Sequence, residues 1–325
     1  MDRPLTAPTI DDIRAARERI DGAVRTPLLR FHGDVEGLEV YLKLENLQPI
    51  GSFKLRGALS RMRALSRAEL SAGVYTASAG NMAQGVAWAA REMGVPAQVV
   101  VPDTAPRAKL DAIERLGAHT IQVPYDEWWS TMKNHGRPGM QGTFVHPFAD
   151  RDVMAGNGTI ALEIQEELPD AATILVPWGG GGLTCGIAAA ARVMLPNARV
   201  IACEVEGSAP LSASLRAGKP VTIENRRTFV DGIGGRGVFP EIWELARELV
   251  WGALTVPVDQ VADAVAQLAR RARVVAEGAG ATPVAAARVH AAGLARDSNR
   301  VVCIVSGGNI DSSVLASILS DARAQ

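Results

Sequence analysis

The residues best suited to chemistry sit in four small-residue turns. Lysine is scarce, with Lys43, Lys54, Lys109, Lys133 and Lys219 the only ones in 325 residues. Lys54 stands in Gly51-Ser52-Phe53-Lys54-Leu55-Arg56-Gly57, just after the apolar run Val40 to Leu44. A lysine beside an aromatic residue in a glycine-bracketed turn is a candidate amine nucleophile for a carbonyl compound, because an imine forms on an unprotonated amine. An ordinary solvated ammonium is the plainer reading of the same residue taken alone.

Three further turns share one context. Ser78-Ala79-Gly80-Asn81 follows Val74 to Ala77, Gly179-Gly180-Gly181-Gly182 follows Ile174 to Pro177, and Ser306-Gly307-Gly308-Asn309 follows Val301 to Val305. Each precedes an Ala/Leu-rich helical pattern. Such strand-to-helix turns lie at the carboxyl ends of parallel strands, where ligands bind in open α/β sheets. The Gly179–Gly182 tetrad suits a phosphate, since backbone N–H groups can close on its oxygens with no Cβ in the way, at a helix N-terminus with unpaired donors. A tightly packed connecting turn explains the same glycines. No dinucleotide spacing with a following acidic residue and no Gly-Lys-Ser/Thr ending is present.

The elements that must position these turns alternate along the chain. Strands are expected at Val40–Leu44, Val74–Ala77, Ala97–Val101, Thr120–Val123, Thr173–Val176, Val200–Val205, Ala253–Val256 and Val301–Val305. Helices fill the intervals, beginning with Asp11 to Val24 and including a long one over Val258–Val275. Alternation of this kind predicts an α/β protein with mostly parallel sheets, in two doubly wound domains. The expected division is a larger domain of residues 1–70 plus 146–325 and a smaller inserted one of 71–145.

Composition agrees. With 47% hydrophobic and 21% charged residues, the chain can bury a sizeable core. A net charge of −1 gives no footing for nucleic acid or an acidic membrane surface. Cys185, Cys203 and Cys303 lie in apolar stretches without metal-ligand spacing, which points to a reducing, cytoplasmic setting. No apolar window is long enough to cross a membrane.

A reactive lysine together with a phosphate cradle suggests pyridoxal phosphate. Ser52-Phe53-Lys54-Leu55-Arg56-Gly57, Ser78-Ala79-Gly80-Asn81, the Gly179–Gly182 loop and Ser306-Gly307-Gly308-Asn309 resemble the threonine/serine dehydratase and serine racemase family. That is the β-family, or fold type II, of pyridoxal phosphate enzymes, with a tryptophan synthase β-like architecture. Lys43-Leu44-Glu45-Asn46, His146-Pro147-Phe148, Gly158 to Glu163 and Glu277-Gly278-Ala279-Gly280 support the resemblance in the right order.

The resemblance implies roles. Lys54 would hold the cofactor as a Schiff base and take the Cα proton of the substrate. Phe53 would pack on the ring, Asn81 would bond its 3′ oxygen, and Ser306 would bond its nitrogen. Gly179, Gly180, Gly181 and Gly182 with the N–H of Leu183 would hold the phosphate, and Glu277 would complete the cofactor set. Ser78, Ala79, Gly80 and Asn81 would cup an amino-acid carboxylate. The implied reaction is α,β-elimination from an L-3-hydroxy amino acid, giving a 2-oxo acid and ammonia, in a homodimer. Racemases of the family carry a serine where this chain has Ala79, so elimination is favoured. Racemisation and an inactive binding protein of the same fold are the alternatives. Met82, Asn157 and Trp178 depart from the family pattern, and Trp178 either packs a core or reshapes the cleft. Glu204 and Glu206 stand as cation ligands or as solvated acids. His119, His135 and His290 are expected to be structural or surface residues.

Overall fold

Strands with unbroken apolar runs end up covered on both faces, and those with polar alternation end up at an edge. Thr173–Pro177 and Arg199–Val205 are buried at every position, whereas His119–Val123 has one fully buried residue. This is the pattern of parallel strands between helical layers. The computed structural model describes residues 5–20, 23–33, 35–295 and 298–321.

Its strands are β1 (Leu28–Arg30), β2 (Glu39–Lys43), β3 (Val74–Ala77), β4 (Ala97–Pro102), β5 (His119–Val123), β6 (Thr143–Phe144), β7 (Thr173–Pro177), β8 (Arg199–Val205), β9 (Gly252–Val256) and β10 (Arg300–Ile304). The first helices are α1 (Ile10–Arg19), α2 (Lys54–Ala64), α3 (Arg67–Leu70), α4 (Asn81–Met93), α5 (Arg107–Arg115), α6 (Tyr125–Lys133) and α7 (Arg151–Glu167). They are followed by α8 (Gly182–Met194), α9 (Pro210–Ala217), α10 (Pro240–Leu249), α11 (Val258–Gln267), α12 (Gly278–Val289), α13 (Ala291–Leu294) and α14 (Ser312–Asp321).

Two sheets result. One has the order β1-β2-β10-β7-β8-β9 and is parallel throughout except for the antiparallel β1–β2 edge. The other, β5-β4-β3-β6, is wholly parallel. The protein is therefore α/β with mostly parallel sheets. The buried side chains under the four-stranded sheet include Leu55, Leu59 and Met62 of α2 as well as Val86 and Val99. Helix α2 also packs on α7, so the helix that starts at Lys54 is a wall shared by both sheets.

Two expected helices end early. The first stops at Arg19, Val24 is 45% exposed, and residues 21–22 of that expectation lie outside the described residues. The helix expected over Val258–Val275 stops at Gln267, widens into a π-turn over Leu268–Ala272, and ends where Arg273 takes the left-handed φ of 61°. The second break carries no glycine or proline that would have announced it, whereas Gly22 follows the first within three residues in the sequence. Strand β1 was not anticipated. It is three partly exposed residues whose pairing with β2, rather than any periodicity, makes it a strand.

Candidate active site

The lysine turn is held from the far end of the chain. Phe53 N–H donates to Ser306 O at 3.0 Å, Ser52 pairs with Gly307, and Gly308 N–H donates to Gly51 O at 2.9 Å. Helix α2 begins at Lys54 without a side-chain cap from Phe53; the Lys54 N–H donates instead to Ser52 Oγ at 3.3 Å, and the backbone bonds fix the turn ahead of it. Gly51, at φ 69°, has no room for a side chain, because a Cβ would lie 2.7 Å from Asn309 Oδ1.

Lys54 Nζ donates to Pro147 O at 2.6 Å and lies 5.1 Å from the centre of the Phe53 ring. Burial disfavours the ammonium and brings Lys54 down to about 8, while the Glu277 carboxylate pulls in the opposite direction. Glu277 is itself pushed up to about 7 by burial, although the Asn81 amide stabilises its charged form. Asn81 Nδ2 donates to both oxygens of Glu277, at 2.9 and 3.2 Å, and Asn81 Oδ1 accepts from Asn309 Nδ2 at 2.8 Å. An amine and a carboxyl poised this close to neutrality are what a proton-transfer site requires.

A quite different cluster surrounds Arg56, two residues on. It donates to Glu45 (2.8 and 2.9 Å) and to Glu163 (2.6 and 3.0 Å). Lys43 Nζ donates to Glu163 Oε2 and to Thr26 O, at 2.6 and 2.5 Å. Burial opposes the charge on both Arg56 and Glu163, but the facing ions win, so Arg56 is raised and Glu163 lowered.

The glycine tetrad leads from β7 into α8, a 13-residue helix starting at Gly182. Gly181 has φ 88°, which an L side chain rarely adopts. A Cβ on Gly180 would meet the Phe148 ring at 2.3 Å, and one on Gly182 would meet Phe148 O at 2.5 Å. His146-Pro147-Phe148 therefore presses on both the lysine and the tetrad. Leu183 is buried in the core, so its N–H is what it offers to a ligand.

The Ser78–Asn81 turn lies on the other sheet, between β3 and α4. Ser78 Oγ accepts Gly80 N–H at 3.2 Å, Ala79 packs against the α2/α4 core, and a Cβ on Gly80 would meet nothing within 4 Å. Ser306 is 2% exposed at the end of β10. The sequence-predicted residues from the four turns thus converge, and Glu277 reaches Asn81 directly. Sequence reading missed Asn309 as the bridge between Asn81 and Ile50 O, and missed Pro147 O as the partner of Lys54. Asn309 lay inside a quoted motif; a backbone carbonyl carries no signal in residue type. Lys109 and Asp231 were also missed; they pair at 2.6 Å from opposite sides of the cleft.

Three open readings are decided. Trp178 is 1% exposed in a core with Leu211 and Ile242, so it packs and does not line the cleft. Glu204 is not a solvated acid: it is fully buried and accepts from Leu211 N–H, Ser212 N–H and Ser212 Oγ at 2.8, 2.8 and 2.6 Å, at the start of α9. Among the described residues no group of three or more His, Cys, Asp or Glu side chains is placed to hold a metal. His135 is exposed, its Nε2 3.3 Å from Glu241 Oε1, and His290 Nε2 is 3.1 Å from Thr255 O.

Two mostly parallel sheets meeting over a half-buried lysine, with a glycine cradle that has no room for a Cβ at Gly180, Gly181 or Gly182, fit pyridoxal phosphate and define an enzyme of fold type II. Residues 20–307 match the family model for pyridoxal-phosphate dependent enzymes, and the chain belongs to that family. It is 40% identical to the L-threonine ammonia-lyase of Thermotoga maritima over 318 residues, 96% of this chain and 78% of that protein. It is 35% identical to the serine racemase of Oryza sativa subsp. japonica over 324 residues, 95% of this chain and 93% of that one. Among solved structures, maize serine racemase superposes with a TM-score of 0.88 at 32% identity, covering 98% of this chain and 99% of that one. Threonine deaminase isoform 2 of Solanum lycopersicum gives 0.85 at 33% identity, covering 98% and 95%.

Proposed function

We propose that this protein eliminates water from an L-3-hydroxy amino acid, giving a 2-oxo acid and ammonia. The observation that carries the reading is a near-neutral amine with no second base in the neighbouring turn. Lys54 is held at about 8, Glu277 is engaged by Asn81, and the Ser78–Asn81 turn offers Ala79, which has no proton to exchange. An enzyme with one base removes the Cα proton from one face, so loss of the β-hydroxyl rather than inversion follows.

Bound here, pyridoxal phosphate supplies an electron sink for the carbon that carries the amino group. Lys54 binds the cofactor and, once free, takes the Cα proton. The Ser78–Asn81 turn at the start of α4 orients the substrate carboxylate through backbone N–H groups, where the helix dipole also favours an anion. Gly179–Gly182 and Leu183 N–H would hold the phosphate in the same manner at α8. Phe53, Asn81 and Ser306 would stand at the ring, with Asn81 anchored by Glu277. A serine hydroxyl at 306 would bond the ring nitrogen without protonating it, so the electron sink supplied would be a modest one, which suits elimination.

Residues 71–145 act as the smaller domain in this reading. A homodimer in the cytoplasm belongs to it too. Exposed Leu29, Leu47 and Val275 surround a cavity of about 490 Å³ and offer apolar surface to a second copy. Light scattering and cell fractionation test those two points. The reaction is tested by 2-oxo acid release from L-serine and L-threonine, with D-isomer formation measured in parallel. Substantial D-isomer from the unaltered protein overturns the single-base reading in favour of racemisation, the activity for which several relatives are named.

A further inference from the structure

Aromatic residues are few here, six Phe, six Trp and three Tyr, yet they gather beside the lysine. Phe148 follows the residue whose carbonyl accepts from Lys54 Nζ. Its ring stands 4.9 Å from that of Phe239 at 74°, and Phe239 stands 5.4 Å from Trp129. His146 backs this row, 4.6 Å from Phe148 and 6.2 Å from Phe239. The rings come from three places: the loop before α7, the residue preceding α10, and α6 beside the other sheet.

Packing alone does not account for them. Trp129 packs on the small core under α6, while Phe148 and Phe239 pack on the Trp178 core. The Trp129–Phe239 contact therefore bridges two separate cores and belongs to neither interior. Trp129, Phe148 and Phe239 are each only partly buried. Buried His146 is held neutral well below its usual range, chiefly by burial and then by His135, so the backing of the wall is uncharged. The nearby cations are engaged with acids: Lys109 with Asp231 and Arg137 with Glu127. The surface that runs from Phe148, the residue after the lysine's carbonyl partner, is apolar and rich in π-faces, with its rings tilted for edge-to-face contact.

We propose that Trp129, Phe239 and Phe148 form the subsite for the substrate's Cβ substituent, and that the preferred substrate is a 3-aryl-3-hydroxy amino acid. This rests on the elimination reading above and sharpens its substrate. For 3-phenylserine the Cα–H and Cβ–O bonds break and water leaves. The resulting enamine becomes an imine, and hydrolysis gives phenylpyruvate and ammonia with no oxidant or reductant. A methyl group leaves most of the wall uncovered, whereas a phenyl ring covers it, and one extra methylene in an apolar pocket already discriminates about 10–200-fold.

The test compares L-threo-3-phenylserine with L-threonine on the cofactor-loaded enzyme, measuring 2-oxo acid release. In parallel, calorimetry compares binding of L-phenylalanine and L-alanine, neither of which has a leaving group. The expected result is a kcat/KM at least tenfold higher for phenylserine and L-phenylalanine binding at least tenfold tighter. Both ratios should fall at least tenfold in Trp129→Ala. Phe239→Leu serves as a second variant if Trp129→Ala does not fold. A wild-type preference for threonine, or ratios unchanged in a folded, cofactor-loaded variant, overturns the subsite. Absence of 2-oxo acid from all three hydroxy amino acids overturns elimination instead, and tighter L-phenylalanine binding would then still support the subsite.

Discussion

Lys54 and Arg56 stand two residues apart on one helix turn, both enclosed by protein, and the fold treats their charges in opposite ways. Arg56 faces two carboxylates with matched geometry, and its proton is held more firmly than in water. Lys54 faces one carbonyl oxygen and a carboxylate already engaged by an amide, and its proton is loosened to about 8. Burial is common to both. What differs is whether opposite charge was brought in to answer it. The same contrast separates Glu163, held below the usual carboxylate range, from Glu277, pushed up to about 7. One cluster braces α2 against β2 and α7; the other is left unsettled where protons must move.

The largest effect that sharpens this contrast is on turnover. Lys54→Ala should lower 2-oxo acid formation by roughly 10³-fold or more while leaving the circular dichroism spectrum intact, since the group removed acts in chemistry and not in bracing. Retained turnover would mean that the loosened amine is not the base. Arg56→Ala should do the reverse. It leaves Glu45 without a cation and Glu163 with Lys43 alone, and should cost about 3–5 kcal/mol, read as a fall in the urea midpoint. A loss below about 1 kcal/mol would show that water reaches the cluster and that the two environments are not so different.

Smaller effects appear as pH dependence in the cofactor-free protein. Glu277, raised from 4.5 to about 7, binds more protons folded than unfolded between those values. Its contribution is complete below pH 4.5 and is lost as pH rises to 7. Lys54, lowered from 10.5 to about 8, binds fewer protons folded, so its contribution to stability rises from pH 8 to 10.5. Glu277→Gln should flatten the first slope and Lys54→Met the second, in urea midpoints taken across pH. Glu277→Gln should also move the midpoint for labelling of Lys54 by an amine reagent below 8, because a charge favouring the ammonium is gone. The smallest effect belongs to the surface. Glu166 pairs with Arg17 and Arg25 where all three are at least a third exposed. Glu166→Gln should change stability by less than about 1 kcal/mol, and that little should vanish in high salt.

What was legible in the sequence was local. Glycine turns after apolar runs located β3, β7 and β10 and the helices that follow them, because strand period and helix starts are written in adjacent residues. The π-turn at Leu268–Ala272 and the pairing of β1 were not legible, since both are settled by neighbours distant in the chain. At the candidate site, residue type and turn context marked Lys54, Asn81 and the tetrad, and the family resemblance added Glu277. It could not show that Asn81 donates to Glu277, nor that Phe148 fills the space the tetrad leaves empty. Trp178 shows the limit most plainly. Its bulk was visible, but whether that bulk faced ligand or core depended on Leu211 and Ile242, more than thirty residues away.

The order of the six-stranded sheet also has a consequence for synthesis. β10, later in the chain than every other strand of this sheet, lies between β2 and β7, and its turn is hydrogen-bonded to the turn that leads into the helix beginning at Lys54. While the ribosome is still translating the first 300 residues, the sheet has a gap at its centre and Lys54 sits on an untethered turn. The four-stranded sheet, finished by residue 144, can close on α2 long before that. An amine able to capture stray aldehydes is thus brought to its reactive setting only after β10 has been made.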